Sequence, residues 1–315
     1  MTERHVVLGS GQIGSALARS LAAKGHEVIA VRRSAGQGEP GVRQVAGNLA
    51  DRAFAEEIAR GAAVLYHVMN PAYHRWPAEL PPLTEGVLHA AKTSGARLVV
   101  LDNLYMYGRM NGEPMREDGA QEPCSKKGAL RKAMAARFLD ASARGELRLA
   151  IGRASDFVGP GIVQGHFGER FFQRVFAGKA GEVFGSPVLP HAYTYGPDVV
   201  SGLVTLGHDE RALGRVWHLP TLEARPVSEW AAALGRAMEI EAKVSEVPGW
   251  AVTMLSLVSP MIRELAEMRY QWQAPYRVDD SRFRTTFGAV PTPFDEQIRA
   301  TAAWARRTYG ATKAA

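Results

Sequence analysis

The residues from Gly9 to Gly14 have the spacing G-x-G-x-x-G, which suits the binding of a diphosphate. The apolar run before this loop predicts a strand, and the segment after it predicts a helix. In that setting the first glycine allows a tight turn, the second lets a pyrophosphate approach the backbone, and the third lets helix and strand pack closely. The free N–H groups and the dipole of the helix N-terminus favour an anion. We therefore predict a dinucleotide site formed by Gly9, Gly11, Gln12, Ile13 and Gly14.

The predicted second strand ends in two arginines, Arg32 and Arg33, where an NAD-specific site usually has an acidic residue. Guanidinium groups suit a 2′-phosphate through paired hydrogen bonds, or adenine through stacking. This pair predicts NADP(H) as the cofactor. After the third strand, Asn48 and the following Leu49 are candidates for contact with the adenine edge.

The elements that position these loops alternate between apolar strands and amphipathic helices over the first half of the chain. Continuous apolar strands are typical of a parallel sheet buried on both faces. The pattern predicts strands at 5–9, 27–31, 42–45, 63–68, 97–102 and 147–152, and helices at 13–24, 51–61, 82–93 and 125–144. The fold class predicted is α/β, a Rossmann-type doubly wound parallel sheet with a second, smaller and mostly helical lobe.

The alternation breaks after Gly159-Pro160-Gly161. Later segments mix short strands with amphipathic helices, predicted at 168–176, 226–238, 247–269 and 294–308. We predict a dinucleotide-binding domain over residues 1–160, joined by 190–222. Residues 161–189 and 223–315 are predicted to form the smaller substrate-binding lobe.

Together these motifs resemble the short-chain dehydrogenase/reductase superfamily, in the extended or atypical branch known as the NAD-dependent epimerase/dehydratase family. The resemblance covers nearly the whole chain. It is carried by Gly9–Gly14, Tyr66–Val68, Asn103–Gly108, Arg153–Gly161 and Tyr195–Val200. The resemblance implies that Met69, Asn70 and Ser155 lie beside the cofactor.

The catalytic residues of that family are only partly present. The family uses a Tyr-x-x-x-Lys pair for acid–base chemistry, and a Ser or Thr to bind the substrate oxygen. The resemblance implies that Lys132 keeps the lysine place and binds the cofactor, while the tyrosine place holds Gly128 and the Ser/Thr place holds Asn103. An asparagine can donate a hydrogen bond to a carbonyl oxygen but is no acid.

Four tyrosines are alternative proton donors in the family layout, namely Tyr105, Tyr107, Tyr193 and Tyr195. A phenol with a pKa near 10 needs a nearby cation to act at neutral pH. Lys132 is the cation that the aligned pattern places at the ribose. The alternative for each tyrosine is a purely structural role in packing.

We expect a mostly apolar substrate pocket, because its candidate lining residues are His166, Phe167, Phe171, His191 and Trp250. Such a pocket predicts a hydrophobic or aromatic substrate. The phenylalanines have an equally good alternative as core residues. The segment from Gly161 to Phe184 and the helices from Val247 to Arg269 are expected to form a lid over the nicotinamide.

Three functions fit these features. The first is an NADP(H)-dependent reductase of a small carbonyl, enone or imine, working without the family's tyrosine. The second is a non-catalytic protein that senses NADP(H), which the missing catalytic residues favour. The third is a nucleotide-sugar epimerase or dehydratase, which we rank lowest because it needs the missing tyrosine and NAD.

The composition narrows the classes of ligand and the cellular compartment that fit this chain. The 315 residues carry 38 Lys and Arg against 32 Asp and Glu, a net charge of +6 without long basic runs, so we expect a small anionic ligand and no nucleic acid. The single cysteine, Cys124, fits a reducing cytoplasm. We expect no signal peptide and no membrane partner. The nine histidines lack H-x-x-x-H and H-E-x-x-H spacing, so no metal site is predicted. The resemblance implies a homodimer.

Overall fold

The computed structural model describes residues 2–34 and 38–310, and its centre is a sheet of parallel strands. Seven strands form this sheet within the described residues: β1 (Arg4–Leu8), β2 (Glu27–Arg32), β3 (Val42–Ala46), β4 (Val64–His67), β5 (Arg97–Asp102), β6 (Arg148–Arg153) and β7 (Arg215–His218). Their order across the sheet is β7-β6-β5-β4-β1-β2-β3. The Rossmann-type α/β fold and the six predicted strands are confirmed.

The seventh strand is an addition to the prediction. β7 has few residues and begins with Arg215, so its apolar pattern is too short to identify it from sequence. It pairs in parallel with β6, and Trp217 is buried beside the sheet. A strand added at this edge extends the surface on which later helices pack.

The eight predicted helices are present, one of them as two helices, and α6 and α10 are additions to the prediction. Their bounds are α1 (Gln12–Ala23), α2 (Arg52–Ala59), α3 (Trp76–Ser94), α4 (Lys126–Ala143), α5 (Glu169–Phe176), α6 (Gly196–His208), α7 (Val227–Met238), α8 (Gly249–Val258), α9 (Pro260–Glu267), α10 (Ser281–Phe287) and α11 (Phe294–Tyr309). α3 begins six residues before the predicted start, with Pro81 and Pro82 inside it. The predicted helix 247–269 is two helices, because Pro260 starts a second one.

Alternate residues of the central strands face opposite layers of helices. Val6 belongs to the core beneath α2, α3 and α4, whereas Val7 belongs to the core beneath α1 and α6. Both faces of the sheet are therefore covered, as the continuous apolar strands predicted. The loops at the carboxyl ends of the strands remain as the edge where a site can form.

A separate apolar core joins α5, α7 and α11. Phe167, Phe172 and Trp230 are fully buried in it. Four short strand pairs lie outside the seven-stranded sheet in the described residues: Asp156–Val158 with Tyr193–Tyr195, Pro190–His191 with Arg225–Pro226, Gly181–Val183 with Val244–Glu246, and Pro114–Met115 with Arg277–Val278. α10 lies instead against the sheet, where Phe283 packs near Trp217. The proposed domain limits therefore stay a prediction.

Within the described residues, the structure contains no helix with the length and apolar character needed to cross a bilayer.

Candidate functional site

The glycine loop between β1 and α1 leaves space at one glycine and none at the other two. A Cβ at Gly14 would lie 1.9 Å from the carbonyl oxygen of Gly9, and a Cβ at Gly9 would lie 3.0 Å from the backbone of Met69. Gly9 also has a φ of +116°, which favours glycine. Around Gly11, by contrast, the described residues place no atom within 4 Å of a Cβ. This open cradle at the start of α1 suits a pyrophosphate.

The two residues between the second and third glycines of the loop, Gln12 and Ile13, have different roles. Ile13 is buried in the core beneath α1. The Gln12 side-chain oxygen accepts hydrogen bonds from the backbone N–H groups of Val163 and Gln164, both at 3.2 Å. This contact ties the loop that follows Gly161 to the glycine loop.

The end of β2 carries both predicted arginines, but one of them is already paired. Arg33 is exposed and binds the Glu79 carboxylate of α3 at 2.9 Å, and Arg75 binds the same carboxylate. Arg32 is half-buried at the strand end. The sequence did not reveal Glu79, because it approaches from a distant helix.

The turn after β3 is held against α3. Leu49 is buried, and a Cβ at Gly86 would lie 1.6 Å from its carbonyl oxygen. The Asn48 side chain is exposed and accepts a hydrogen bond from the Ala50 N–H at 3.1 Å. Close packing through Gly86 therefore fixes this turn, with Asn48 facing outward.

The helix α4 presents different residues from those predicted. Lys127 and Arg131, one helical turn apart, are buried on its inner face. Gly128 packs against the loop after β5, where its Cβ would lie 2.5 Å from the Tyr105 carbonyl oxygen. Lys132 is exposed, and its Nζ donates to the Gln121 carbonyl at 2.7 Å. The structure thus brings Lys127 and Arg131 inward and leaves Lys132 outside.

Arg131 links the ends of two neighbouring strands. Its guanidinium donates to the Asn70 side-chain oxygen at 2.7 Å, beyond β4, and lies 3.5 Å from Asp102 at the end of β5. It also covers the Trp76 ring at 4.3 Å. The other oxygen of Asp102 faces Arg153 at 3.4 Å. These partners compensate charges that burial would otherwise make very costly.

Lys127 is paired with carboxylates from the later half of the chain. Its Nζ binds Glu264 and, at 2.7 Å, Glu267, both on α9. It also lies 5.6 Å from the centre of the Tyr73 ring. The pair of ion contacts fastens α9 to the inner face of α4, a relationship that sequence spacing does not contain.

Asn103 and Tyr105 stabilise the loop after β5. The Asn103 side-chain oxygen accepts from the Tyr105 N–H at 3.1 Å and so caps the turn after β5. The Tyr105 hydroxyl meets that of Tyr73 at 2.5 Å. Burial, helped by the Tyr73 charge, raises the pKa of Tyr105 well above its usual value. The side chains of Asn103 and Tyr105 are therefore both hydrogen-bonded to neighbouring residues of the protein.

The other three tyrosines are also buried and bonded or packed. The Tyr107 hydroxyl accepts from Arg153 at 2.8 Å and meets His218 at 2.8 Å, and the Tyr193 hydroxyl meets His166 at 2.6 Å. Burial raises the pKa of Tyr107, of Tyr193 and, to about 12, of Tyr195. Burial opposes the phenolate in each case, and Lys132 lies outside.

Beyond the strand ends, Asp156, His166, His191 and Tyr276 form a polar group that we name the Asp156 cluster. The His191 Nε2 lies 2.9 Å from the Asp156 carboxylate, and its ring stacks on Tyr276 at 4.7 Å. The His166 ring is 5.6 Å from that of His191. An imidazole held by a carboxylate can accept and return a proton. Sequence analysis missed Asp156 and Tyr276.

The electrostatics keep the Asp156 carboxylate charged. Burial alone would raise its pKa, but the hydrogen bond from His191 and the nearby imidazoles outweigh burial and lower it. Burial lowers the pKa of His166 to about 4 against the pull of Asp156, so His166 is neutral at pH 7. The cluster therefore holds a fixed negative charge beside the neutral imidazole of His166.

The remaining predicted residues lie elsewhere. Ser155 is buried and its hydroxyl donates to the Ala192 carbonyl. Phe167 and Phe171 belong to the core of the second lobe, so the expectation that they line a pocket is wrong. Trp250 is 74% exposed. The two phenylalanines are apolar because they pack in the core, whereas the tryptophan lies at an exposed position of a helix.

Comparison with known proteins places these features in context. The sequence model of the NAD-dependent epimerase/dehydratase family matches residues 6–217. No curated protein matches this chain in sequence.

Solved structures with the same fold have low sequence identity to this chain. A complex of MoeE5 with UDP-glucose and NAD superposes with a TM-score of 0.76 at 21% identity, covering 97% of this chain and 99% of that one. The epimerase Mth375 from Methanothermobacter thermautotrophicus gives 0.80 at 18%, covering 99% and 94%. A dTDP-glucose 4,6-dehydratase from Bacillus anthracis, in complex with NAD, gives 0.80 at 14%, covering 98% of each chain. At such low sequence identities, the structural similarity shows that these proteins share the fold of this chain.

Proposed function

The chain belongs to the NAD-dependent epimerase/dehydratase family, and from that premise we propose a nicotinamide-dinucleotide-dependent enzyme acting on a hydroxyl-rich substrate of the nucleotide-sugar class. The observation that carries the proposal is the glycine loop. The glycine loop, Asn70 and Asp156 each follow the carboxyl end of a strand of the same parallel sheet, namely β1, β4 and β6. A dinucleotide and a second ligand can therefore meet there.

The chemistry of the Asp156 cluster favours a polar substrate over the hydrophobic one expected from sequence. The phenylalanines that suggested an apolar pocket are buried in the second lobe, whereas imidazole and phenol groups surround the Asp156 carboxylate. Such groups match the hydroxyls of a sugar through hydrogen bonds. MoeE5 was solved with UDP-glucose, which supports this choice of class.

The roles of α4 follow from its register. We assign Arg131 the place that the family resemblance gives to lysine, at the cofactor ribose, because it is the buried cation that reaches Asn70. Lys127 then stands in the place of the tyrosine, one turn earlier. Since two glutamates compensate its charge, we assign it a positioning role in holding α9 beside the site.

A bound nicotinamide would supply the acceptor or donor of hydride. The residues of this chain handle the proton that accompanies it. We propose that His191 takes the proton of the substrate hydroxyl when the carbon is oxidised and returns it on reduction, while Asp156 orients the imidazole. The raised pKa values of the buried tyrosines argue against a phenolate in that role.

NADP(H) remains the proposed form of the cofactor. It rests on Arg32 and Arg33 at the end of β2, where an acidic residue would mark NAD. The ion pair of Arg33 with Glu79 competes with a 2′-phosphate, and MoeE5 was solved with NAD. A titration of both cofactors decides between them.

The homodimer is likewise proposed from the resemblance. A mostly apolar groove of about 310 Å³ lies between α3 and α4, lined by Leu80, Pro81, Pro82, Leu130, Ala133 and Met134 together with Thr84, Glu85 and Arg137. Light scattering of the purified protein would measure its mass in solution. From the single exposed Cys124 we also expect a cytoplasmic setting.

The experiment is a panel of nucleotide sugars incubated with NADP⁺ or NAD⁺. Reduced nicotinamide is followed by ultraviolet absorbance, and epimers or dehydrated products are followed by NMR. Turnover of a nucleotide sugar supports the proposal. Turnover only of hydrophobic carbonyls restores the reductase expected from sequence.

A second candidate function is a non-catalytic sensor of the cofactor. The observation favouring it is that both Lys127 and the phenols of the site are engaged in contacts within the protein. Tight cofactor binding without turnover of any nucleotide sugar, carbonyl, enone or imine would select the sensor.

A further inference from the structure

Three histidines from separate elements meet at the end of the sheet opposite the glycine loop. His5 lies in β1, His26 precedes β2, and His208 ends α6. One ring nitrogen of each lies within 4.8 Å of those of the other two. The ring centres of His5 and His26 are 4.3 Å apart, and those of His5 and His208 are 5.3 Å apart. No linear spacing motif could reveal this group.

His5 is the buried member, and its nitrogens are available. Its side chain is fully buried, and neither ring nitrogen has a hydrogen-bond partner within the described part of the chain. Burial, with the two neighbouring imidazoles, lowers the pKa of His5 to about 4. The ring is therefore neutral at pH 7, the form that binds metals. A buried polar group without a partner requires a reason.

His208 is oriented as metal-binding histidines usually are. Its Nδ1 lies 2.7 Å from the Val204 carbonyl oxygen and can donate to it, which leaves the lone pair on Nε2. The Glu3 N–H donates to Nδ1 of His26 at 3.4 Å, a long contact that leaves this ring free to turn toward a cation. The His208 ring is therefore oriented to bind a metal ion through Nε2, and the His26 ring can turn toward the same ion.

A carboxylate completes the set. One oxygen of Glu3 lies 3.6 Å from Nε2 of His5 and 3.8 Å from Nε2 of His208. Three imidazoles and one carboxylate form a four-ligand set of the kind that binds zinc. Glu3 and His208 are 45% and 37% exposed, which gives an ion an entry path.

We propose that His5, His26, His208 and Glu3 bind a divalent transition-metal ion, with Zn²⁺ as the ion to test. Zinc–nitrogen bonds of about 2.0–2.1 Å require the ligand atoms to close from their present spacing. His26, His208 and Glu3 are partly exposed, which leaves their side chains room to rotate toward a common ion. The ion would join the starts of β1 and β2 to the end of α6.

The site would act on stability and is separate from the cofactor site. β1 runs from the histidine group to the glycine loop, so three residues of extended strand, on the order of 10 Å, separate His5 from Leu8. An ion that binds only the folded chain stabilises it by mass action. We therefore expect metal to raise the melting temperature whether or not the proposed enzyme function holds.

The experiment uses the full chain with any purification tag removed and any metal stripped by a chelator. Zn²⁺ is titrated by calorimetry, and Co²⁺ is titrated by its visible absorbance, which reports tetrahedral coordination. We expect one ion per chain in both titrations, and a melting temperature that rises with Zn²⁺. Absence of saturable binding by the wild-type chain would overturn the proposal.

The variants replace the two accessible ligands, because His5 is buried and its replacement endangers folding. His26→Gln with His208→Gln should weaken Zn²⁺ binding at least about a hundredfold and abolish the melting shift, with an unchanged circular dichroism spectrum. His74→Gln, on an exposed histidine outside the group, is the matched control and should bind as the wild type does. Wild-type affinity in the double variant would assign the binding to other residues.

Discussion

The guanidinium of Arg131 donates a 2.7 Å hydrogen bond to the side chain of Asn70. This bond connects the inner face of α4 with the loop after β4, next to the glycine loop that Met69 touches. The cation that faces the proposed ribose position is therefore an arginine. An arginine offers several donors in a fixed plane, so it can bind Asn70, Asp102 and a ligand together, which one ammonium group does less well.

The first prediction compares the two neighbouring cations of α4. Arg131→Lys keeps the charge but loses the planar set of donors, so we expect about tenfold or greater loss of cofactor affinity. Lys132→Met should leave affinity unchanged, because Lys132 is exposed and bonded to Gln121. Fluorescence titration measures both, with melting temperature as the folding control. The reverse result would return the cofactor role to Lys132.

The second prediction separates binding from folding within the glycine loop. Gly11→Val should abolish cofactor binding with a near-normal melting temperature, since its side chain enters the open cradle. Gly14→Ala should instead destabilise the fold, by about 1–3 kcal/mol or more, because its Cβ overlaps the Gly9 carbonyl. Calorimetry and chemical denaturation distinguish these effects. A folded Gly11→Val protein that binds cofactor would refute the loop assignment.

The sheet and the glycine loop could be predicted because their signals are local. Val6 to Leu8 and the glycines that follow lie side by side in the chain, and their spacing reflects nearby contacts. The Asp156–His191 and Lys127–Glu267 pairs join residues from distant segments. No periodicity or short motif records such contacts, so the sequence alone could not place them.

The inward-facing residues of α4 could not be predicted from the sequence for a different reason. Both Lys127 with Arg131 and Gly128 with Lys132 have the same four-residue spacing, so spacing alone does not choose between them. A shift of one residue rotates a helix by about 100° and exchanges inner for outer positions. The structure selects the first pair, because Lys127 and Arg131 are both buried whereas Lys132 is exposed. A tyrosine in place of Gly128, as the family pattern has it, would collide with the backbone of Tyr105.

The third prediction concerns cofactor choice. NADPH should bind at least about tenfold more tightly than NADH, because the 2′-phosphate gains contacts with Arg32 and Arg33. Arg32→Ala and Arg33→Ala should each reduce this preference. Glu79→Gln, which frees Arg33 from its ion pair, should increase it. Equal affinities for the two cofactors, unchanged in all three variants, would contradict the assignment.

The fourth prediction is a loss of stability in mild acid. Burial lowers the pKa of His67 and His218 to about 3 and of His5 and His166 to about 4. In the unfolded chain these rings titrate near 6.5, so unfolding is accompanied by the uptake of about four protons at most as pH falls below that value. The free energy of unfolding should therefore be constant above pH 7 and decline from about pH 6.5 toward 4.

Urea denaturation of the metal-free protein, followed by tryptophan fluorescence at a series of pH values, measures this decline. His74→Gln should show the same pH dependence as the wild type, since His74 is exposed. A free energy of unfolding that stays constant between pH 7 and pH 5 would show that the four buried rings take up protons in the native state.

The last prediction tests the proton carrier on the substrate identified by the nucleotide-sugar panel. His191→Gln should lower turnover by about 10²–10⁴ with cofactor affinity unchanged, because the glutamine amide cannot take up a proton. Asp156→Asn removes the carboxylate that orients the imidazole at 2.9 Å, and should lower turnover and shift the pH profile while His191 remains. Tyr105→Phe and Tyr193→Phe are the matched comparisons, and each should cost less than about tenfold, because burial disfavours the phenolate in both. If a tyrosine variant loses about 10² or more while His191→Gln stays active, the phenol carries the proton and the role of His191 is structural.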